Sequence, residues 1–240
     1  MMQSRSTLSV ANLGLVEYQA ALALQGAMVA ARHHAEIGDT LLLLEHPHVF
    51  TLGRGADERF LLSQRQRDVP IHRVSRGGQV TYHGPGQLIG YPILRLEGRE
   101  RDVHRYLRKL EEAMLRALAD CRIEGGRREG LTGIWVGAKK IGSIGVGIKR
   151  WTTYHGFALN VCPDLNYFDG IVPCGIEGCE MTSIESISPK QTSVDEFSIR
   201  MRARFSEVFG FEESVTTAAS QLWQLIASHP TESEEPHHDA

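Results

Sequence analysis

The chain lacks the marks of secreted, membrane and nucleic-acid-binding proteins. Its 240 residues include only four cysteines, without the dense spacing of a disulfide framework, so we expect a reduced protein of the cytoplasm. No apolar stretch is long enough to span a bilayer, and the first residues do not have the pattern of a signal peptide. A formal net charge of −3 gives no bulk attraction to nucleic acid or to an anionic membrane.

What the sequence does contain is typical of a globular protein, with 42% hydrophobic and 23% charged residues. The length suits one large domain, which we place at residues 1–228. We expect its part from about 190 to 228 to be helical, with a soft internal boundary at Pro189. Residues 229–240 are polar and acidic, and we expect them to be disordered.

Hydrophobic periodicity predicts more strands than helices, with the strands clustered between the helices. This order is typical of an α+β fold, in which helices pack on a mixed, largely antiparallel sheet. The predicted helix over 102–121 has one apolar face, and Glu111 and Glu112 lie away from it. A capping box begins a later helix at Ser193. The predicted helices are 15–35, 102–121, 193–209 and 217–228, and the predicted strands are 40–44, 49–52, 71–74, 79–82, 88–96, 133–136, 140–148 and 156–161.

Cys174 stands out among the cysteines because it lies between a proline and a glycine. Proline fixes one backbone angle, and glycine lets the backbone bend or a ligand approach, so this turn can present a thiol to a pocket. A nucleophilic thiol must become a thiolate, which a lysine or a histidine such as His83 could promote. The alternatives are a structural thiol and a weak metal site formed with Cys162, Cys179 and a histidine.

A glycine-rich segment over residues 76–87 is the second candidate feature. Its glycines bracket a short strand, in which Val80 and Tyr82 share one face and Thr81 and His83 share the other. The segment matches neither the phosphate-binding loop nor the dinucleotide-binding pattern, which disfavours a nucleotide site. A tight hairpin with no ligand is the alternative.

The third candidate feature is a strand with two adjacent lysines, Lys139 and Lys140. Because neighbouring residues point to opposite faces, one of them must face the covered side of the sheet, which is costly unless the lysine is paired or functional. Gly142, Gly145 and Gly147 are poor strand residues, which indicates that something such as an alkyl chain packs close to the backbone. Two exposed lysines on an edge strand are the alternative.

These segments together resemble the lipoyl(octanoyl) transferases, which move an octanoyl group in lipoate biosynthesis. The resemblance rests on residues 76–87, 140–145, 155–160 and 173–176 with the following 182–183, and it covers roughly residues 10 to 210. It implies a fold similar to the catalytic domain of biotin and lipoate protein ligases. Met181 and Cys179 depart from the family pattern. For Cys179 the two possibilities are a disulfide with Cys174 and a free thiol in a loop.

The resemblance also implies roles for particular residues. Cys174 matches the nucleophile that carries the acyl thioester, and Lys140 matches the residue that promotes its thiolate. The matching acyl-binding residues are Arg76, Gly77, Gly78, Gln79, Val80, Thr81, Tyr82, His83, Ser143, Ile144, Gly145, Gly156, Phe157 and Ala158.

The implied reaction uses octanoyl-acyl carrier protein as donor, and lipoyl domains and the glycine cleavage H protein as acceptors. It implies neither ATP nor another cofactor nor a metal, and no nucleic acid or membrane partner. An acidic carrier would dock on basic residues, for which the candidates are Arg122, Arg127, Arg128, Lys149 and Arg150.

Three rival functions are compatible with parts of the pattern. A lipoate–protein ligase would use ATP and would carry His-Asp-x-Gly-Asn where this chain has residues 83–87. An amidotransferase of related fold also uses a cysteine, so only a test of substrates distinguishes it from an octanoyl transferase. A non-enzymatic protein that binds acyl carriers or lipoyl domains would not need both Cys174 and Lys140.

Overall fold

The computed structural model describes residues 5–188 and 193–230. Ten strands and five α-helices lie within these ranges, together with short 3₁₀ turns. In chain order they are β1 (Arg5–Leu15), α1 (Tyr18–His33), β2 (Thr40–Glu45), β3 (Val49–Leu52), β4 (Ile71–Arg73), β5 (Val80–His83), β6 (Gln87–Ile93), α2 (Val103–Ala119), β7 (Ile134–Val136), β8 (Lys139–Lys149), β9 (Thr152–Asn160), α3 (Ile184–Ile187), α4 (Val194–Phe209), β10 (Phe211–Thr216) and α5 (Ala219–Ser228).

Seven strands form a central sheet in the order β10-β1-β2-β6-β9-β8-β7. The pairs β1–β10 and β1–β2 are parallel, and the remaining pairs of this sheet are antiparallel. A second sheet, β4-β3-β5, lies beside it. The prediction of a mixed, largely antiparallel sheet flanked by helices is therefore confirmed.

Helices cover both faces of the central sheet. Leu41 and Leu43 of β2 belong to the core beneath α2 and α4, whereas Leu42 and Leu44 belong to the core beneath α1 and α5. A strand that is buried on both faces needs no polar alternation, which explains the continuous apolar run of β2. None of the described helices is both long and apolar enough to cross a membrane.

The predicted helices and the predicted inner strands are present, with ends shifted by a few residues. Strands β1 and β10 were not predicted. Strand β10 lies at the sheet edge and exposes most of its residues, so it has little hydrophobic alternation. Ser193 caps α4 by accepting a hydrogen bond from the backbone N–H of Glu196, at 3.2 Å.

The predictions for the carboxy-terminal region meet the structure only in part. The predicted boundary at Pro189 and residues 231–240 of the predicted tail lie outside the described residues. His229 was assigned to that tail, but it ends α5 and its Nε2 lies 3.2 Å from a carboxylate oxygen of Glu36.

Gly90 of β6 provides a stability prediction. It pairs with Phe157 of β9, and a Cβ at Gly90 would lie 2.1 Å from Cζ of the Phe157 ring. We expect Gly90→Ala to lower the free energy of unfolding by about 1–3 kcal/mol, because the ring has to leave its position. Urea denaturation measures the change. Gly38→Ala is the control, since its Cβ would enter open space, and an equal loss there would contradict the explanation.

Candidate active site

Cys174 lies in a single tight turn, Pro173–Gly175, with left-handed backbone angles of φ 56° and ψ 17°. Such angles are uncommon for a residue other than glycine and cost on the order of 1 kcal/mol or more. The next residue, Gly175, also has a positive φ of 70°. Two hydrogen bonds hold the turn, from the N–H of Gly175 to Val172 O and from the N–H of Ile176 to Pro173 O. The strained turn presents the half-buried thiol to the neighbouring strand β8.

Lys140 of β8 is the direct partner of this thiol. Its Nζ donates to the Sγ of Cys174 at 3.0 Å, and the side chain is 0% exposed. Ser143 lies on the other side of the thiol, with Oγ 3.9 Å from Sγ. Lys139 points the opposite way and forms an ion pair with Glu180 at the surface. The expectation that one lysine faces the covered side is confirmed, and that lysine is Lys140.

A small cavity is lined by Cys174, by the glycine-rich segment and by strands β8 and β9. Most of the predicted acyl-binding residues line it, which brings together segments far apart in the sequence. Three lining residues were not predicted as site residues: Tyr18, Tyr91 and His155. Tyr18 and Tyr91 read as ordinary core positions of a helix and a strand, so the sequence carries no signal for them. The lining residues from the prediction are Arg76, Gly78, Gln79, Val80, Thr81, His83, Ser143, Ile144, Gly145, Gly156, Phe157, Ala158 and Cys174.

Two predicted binding residues, Gly77 and Tyr82, lie outside the cavity lining. The ring of Tyr82 packs in the core of the smaller sheet, and its hydroxyl lies 2.7 Å from Nδ1 of His48. The N–H of Gly77 donates to Val146 O at 2.9 Å, so this amide is already used within the protein. Both residues stabilise the glycine-rich segment: Tyr82 packs β5 into the core of the smaller sheet, and Gly77 forms a hydrogen bond from the loop to β8.

Arg76 is a buried cation beside the cavity, with 6% of its surface exposed. Its guanidinium donates to the carbonyl and hydroxyl oxygens of Thr51 at 2.7 and 2.8 Å and to Gly77 O at 3.0 Å. Burial lowers the pKa of Arg76 from its ordinary value. Its Nε is buried without a hydrogen-bond partner among the described residues. The side chain crosses the backbone of Gly145, where a Cβ would lie 2.9 Å from its Cδ.

The close packing expected at the glycines of β8 is present, but the protein supplies it. Gly142 accommodates the side chain of Ile134, and Gly147 accommodates the ring of Tyr154. Together with Arg76 against Gly145, these side chains occupy the positions for which the sequence suggested an alkyl chain.

His83 is held by a buried chain of side-chain amides. Its Nδ1 lies 3.2 Å from Oε1 of Gln87, whose Nε2 donates to Oδ1 of Asn160 at 3.0 Å. Since that arrangement fixes Oε1 as the acceptor, His83 carries its proton on Nδ1 and leaves Nε2 unprotonated. Burial holds the pKa of His83 well below 6.5. The hydrogen bond to Sγ comes from Lys140, so His83 is not the direct partner of Cys174.

Three buried histidines make the fold sensitive to acid: His83 and His155 line the cavity, and His46 lies beside His83. Burial lowers the pKa of His46 to about 4 and that of His155 to about 3, and it lowers that of His83 as well. Because the unfolded chain protonates these residues near pH 6.5, it binds more protons than the folded protein does below that pH.

We therefore expect the free energy of unfolding to have its highest value above pH 6.5. It should fall as the pH drops towards 4, by about 1.4 kcal/mol per pH unit for each histidine. Urea denaturation at several pH values measures the slope, and His104→Ala, at an exposed histidine, is the control that should not alter it. A slope that corresponds to less than one proton would contradict this prediction.

A wider cavity of about 440 Å³ lies beside the Cys174 turn, and Cys179 and Met181 help to line it. Cys179 is a free thiol, and burial raises its pKa. Met181 lies beside Lys140 in an isolated parallel bridge and packs against the core of the smaller sheet. The two departures from the family pattern therefore lie together next to the catalytic candidates.

The three-cysteine metal site is not assembled in the part of the chain that the structure describes. The cluster of possible metal ligands found there is His34, Glu36 and His229, at the ends of α1 and α5, and it contains no cysteine.

The predicted basic docking surface is divided. Arg127 is paired with the carboxylates of Glu111 and Glu112, and Arg128 donates to Ala138 O just before β8. Lys149 and its neighbour Arg150 lie at the opposite end of this 11-residue strand, roughly 35 Å away. These residues do not form the single patch that the sequence suggested.

Comparison with known proteins connects this geometry to one family. Residues 17–206 match the lipoyl protein ligase A/B catalytic domain. An octanoyltransferase from Nostoc sp. is 46% identical over 203 residues, covering 84% of this chain and 91% of the relative. An octanoyltransferase from Solibacter usitatus is 47% identical over 204 residues, covering 83% and 92%.

Among solved structures, lipoate-protein ligase A bound with ATP has a TM-score of 0.67 at 16% identity, covering 95% of this chain and 96% of that one. LipL1 of P. falciparum in complex with lipoate has a TM-score of 0.70 at 14% identity, covering 94% and 69%. At these identities the structures show a shared fold.

Proposed function

Because this chain belongs to the octanoyltransferases of the lipoyl protein ligase A/B catalytic domain family, we propose that it takes its octanoyl group from octanoyl-acyl carrier protein. It passes the group, through a thioester on Cys174, to a specific lysine of lipoyl domains. The 3.0 Å contact between Lys140 Nζ and Cys174 Sγ, beside the cavity that Cys174 helps to line, is the observation that carries this proposal.

The first half of the reaction exchanges one thioester for another. Lys140 promotes the thiolate of Cys174, and this thiolate attacks the carbonyl carbon of the octanoyl thioester. The bond from that carbon to the carrier's sulfur breaks, and the carrier leaves as its thiol with a proton from Lys140, which leaves the lysine neutral for the second half. The octanoyl chain extends from Cys174 along the cavity, beside Ile144 and Phe157.

The second half forms an amide. The amine of the acceptor lysine attacks the same carbonyl carbon, loses a proton to Lys140, and expels the thiolate of Cys174. Backbone amides of the glycine-rich segment and of the Cys174 turn are the candidates for stabilising the oxyanion. Those of Gly77 and Gly175 are already hydrogen-bonded within the protein, so we assign this role to the N–H of Gly78, a residue that lines the cavity. Thioester exchange is nearly balanced in energy and amide formation is downhill, so the cycle runs without ATP or another cofactor.

The proposed partners follow from this chemistry. The acceptors are lipoyl domains of 2-oxoacid dehydrogenase acyltransferase subunits and the glycine cleavage H protein. In support, a lipoate protein ligase of this fold from Thermoplasma acidophilum was studied together with its E2 lipoyl domain. We place the reaction in the cytoplasm.

The experiment that tests this function is the intact mass of the protein after incubation with octanoyl-acyl carrier protein in the absence of ATP. We expect a gain of one octanoyl group, its removal by hydroxylamine, and its transfer when a lipoyl domain is added. If no adduct forms, but the lipoyl domain is octanoylated when free octanoate and ATP are supplied, the protein is a ligase and the proposal is wrong.

A further inference from the structure

The surroundings of Lys140 contain more than its thiol partner. The Nζ atom lies over the ring of Trp135, 5.1 Å from the ring centroid, and the backbone of Gly133 lies against the end of the side chain. Lys140, Trp135 and Gly133 are buried, and the thiol is half-buried. The lysine is therefore held from three sides, by a sulfur, an aromatic face and a segment of backbone.

Gly133 is in a position that other residues cannot occupy. Its φ is 122°, and a Cβ there would lie 2.5 Å from Gly142 O, 3.0 Å from Cε of Lys140 and 3.4 Å from Nζ. Side chains other than glycine rarely adopt this φ, and the carbonyl of a neighbouring strand cannot move aside. The backbone before β7 consequently runs close to the amine-bearing end of Lys140, with no room for a side chain between them.

Glu111 of α2 fixes this backbone. Its Oε1 accepts a hydrogen bond from the N–H of Gly133 at 3.1 Å, and its Oε2 accepts from Arg108 at 2.6 Å and from Arg127 at 2.9 Å. The side chain is 1% exposed, although the sequence placed it away from the buried face of its helix. A buried carboxylate is costly unless it is fully paired, and here its three donors pair it.

We propose that Glu111 and Gly133 are positioning residues for Lys140, and that they keep its Nζ within reach of Cys174. Glu111 holds the backbone at Gly133, and that backbone prevents the lysine side chain from swinging away from the sulfur. The inference rests on the proposed function, in which Lys140 activates the thiol. It assigns a functional reason to a buried ionic group that contacts neither the cavity nor the thiol.

The test is the rate of alkylation of Cys174 by iodoacetamide, followed by peptide mass at several pH values, in Gly133→Ala and Glu111→Gln. We expect Gly133→Ala to slow alkylation at pH 7 by at least about 10-fold, because a displacement near 1 Å can cost that much or more. Glu111→Gln should slow it by about 3- to 10-fold, since the amide can still accept from Gly133 but loses its charge toward the two arginines. Both profiles should move to higher pH.

Two matched controls separate positioning from general disturbance. Gly126→Ala is a matched control because Gly126 forms backbone hydrogen bonds with Trp135 in the same region, but its new Cβ would enter open space. Glu112→Gln also removes a negative charge that pairs with Arg127, whereas the hydrogen bond from the N–H of Gly133 goes to Glu111. Alkylation at the wild-type rate in both controls supports the proposal, and equal slowing in a control and its test variant overturns it.

The variant Lys140→Met distinguishes a failure of the positioning role from a failure of the proposed function on which it rests. If Lys140→Met alkylates as fast as wild type, the lysine does not activate the thiol and the proposed function itself fails. If Lys140→Met is slow but both Gly133→Ala and Glu111→Gln match wild type, only the positioning role is wrong. Should Gly133→Ala not fold, as shown by its thermal transition, Glu111→Gln alone decides.

Discussion

Replacing Cys174 with alanine is expected to abolish the formation of the acyl-enzyme and to reduce octanoyl transfer by at least about 10⁴-fold. The reason is that the thioester intermediate has no other place to form: among the described residues, Cys174 is the cysteine that lines the acyl cavity, next to Lys140. Intact mass and the rate of lipoyl-domain octanoylation measure the two effects. Stability should change little, because the residue is half-buried in a turn whose backbone is already strained.

Cys179→Ala is the matched control for this prediction. Cys179 is a free, half-buried thiol five residues along the chain, and it lines the wider cavity instead of the acyl cavity. Its removal should leave the octanoyl adduct and the transfer rate in place. Full transfer by Cys174→Ala, or loss of transfer in Cys179→Ala alone, would show that the thioester is carried elsewhere.

The features that the sequence could predict are those that depend on neighbouring residues. Alternation along one strand separates Lys139 from Lys140, and the structure places the first in solvent and the second against Cys174. The same alternation separates Tyr82, which packs in the core of the smaller sheet, from Thr81 and His83, which line the cavity, although Val80 at the start of the strand lines it too. The hydrophobic pattern gave the inner strands for the same reason, since burial on both faces leaves a continuous apolar run.

What the sequence could not predict depends on residues far apart in the chain. Whether Lys140 or His83 contacts the thiol is decided by where the 173–175 turn places Cys174 relative to β8, which no local pattern contains. Glu111 looks like a solvent-facing helix residue until Gly133 and two arginines converge on it. The basic residues suggested one patch, but the length of β8 separates them.

Lys140→Met is expected to slow acyl-enzyme formation by about 10²- to 10⁴-fold at neutral pH, while the binding of the donor changes little. Methionine fills a similar volume in a site that is 0% exposed, so the fold should persist and the change reports the loss of the amine. Single-turnover mixing with octanoyl-acyl carrier protein measures the rate. The rate of the variant should recover as the pH rises, because more of the thiol then ionises without help. Lys139→Met, at the exposed and paired neighbour, is the control that should keep the wild-type rate.

The variant Lys140→Arg separates the two roles proposed for this lysine, which are to promote the thiolate of Cys174 and to accept the proton of the acceptor amine. Arginine keeps the positive charge that favours the thiolate, but it cannot take a proton from the acceptor amine at any ordinary pH. We therefore expect this variant to form the acyl-enzyme faster than Lys140→Met does and to pass the octanoyl group on slowly, so that the adduct accumulates. Equal rates for both halves in Lys140→Arg and wild type would mean that another group receives the acceptor's proton. The unprotonated Nε2 of His83, in the same cavity, would then be the group to test next.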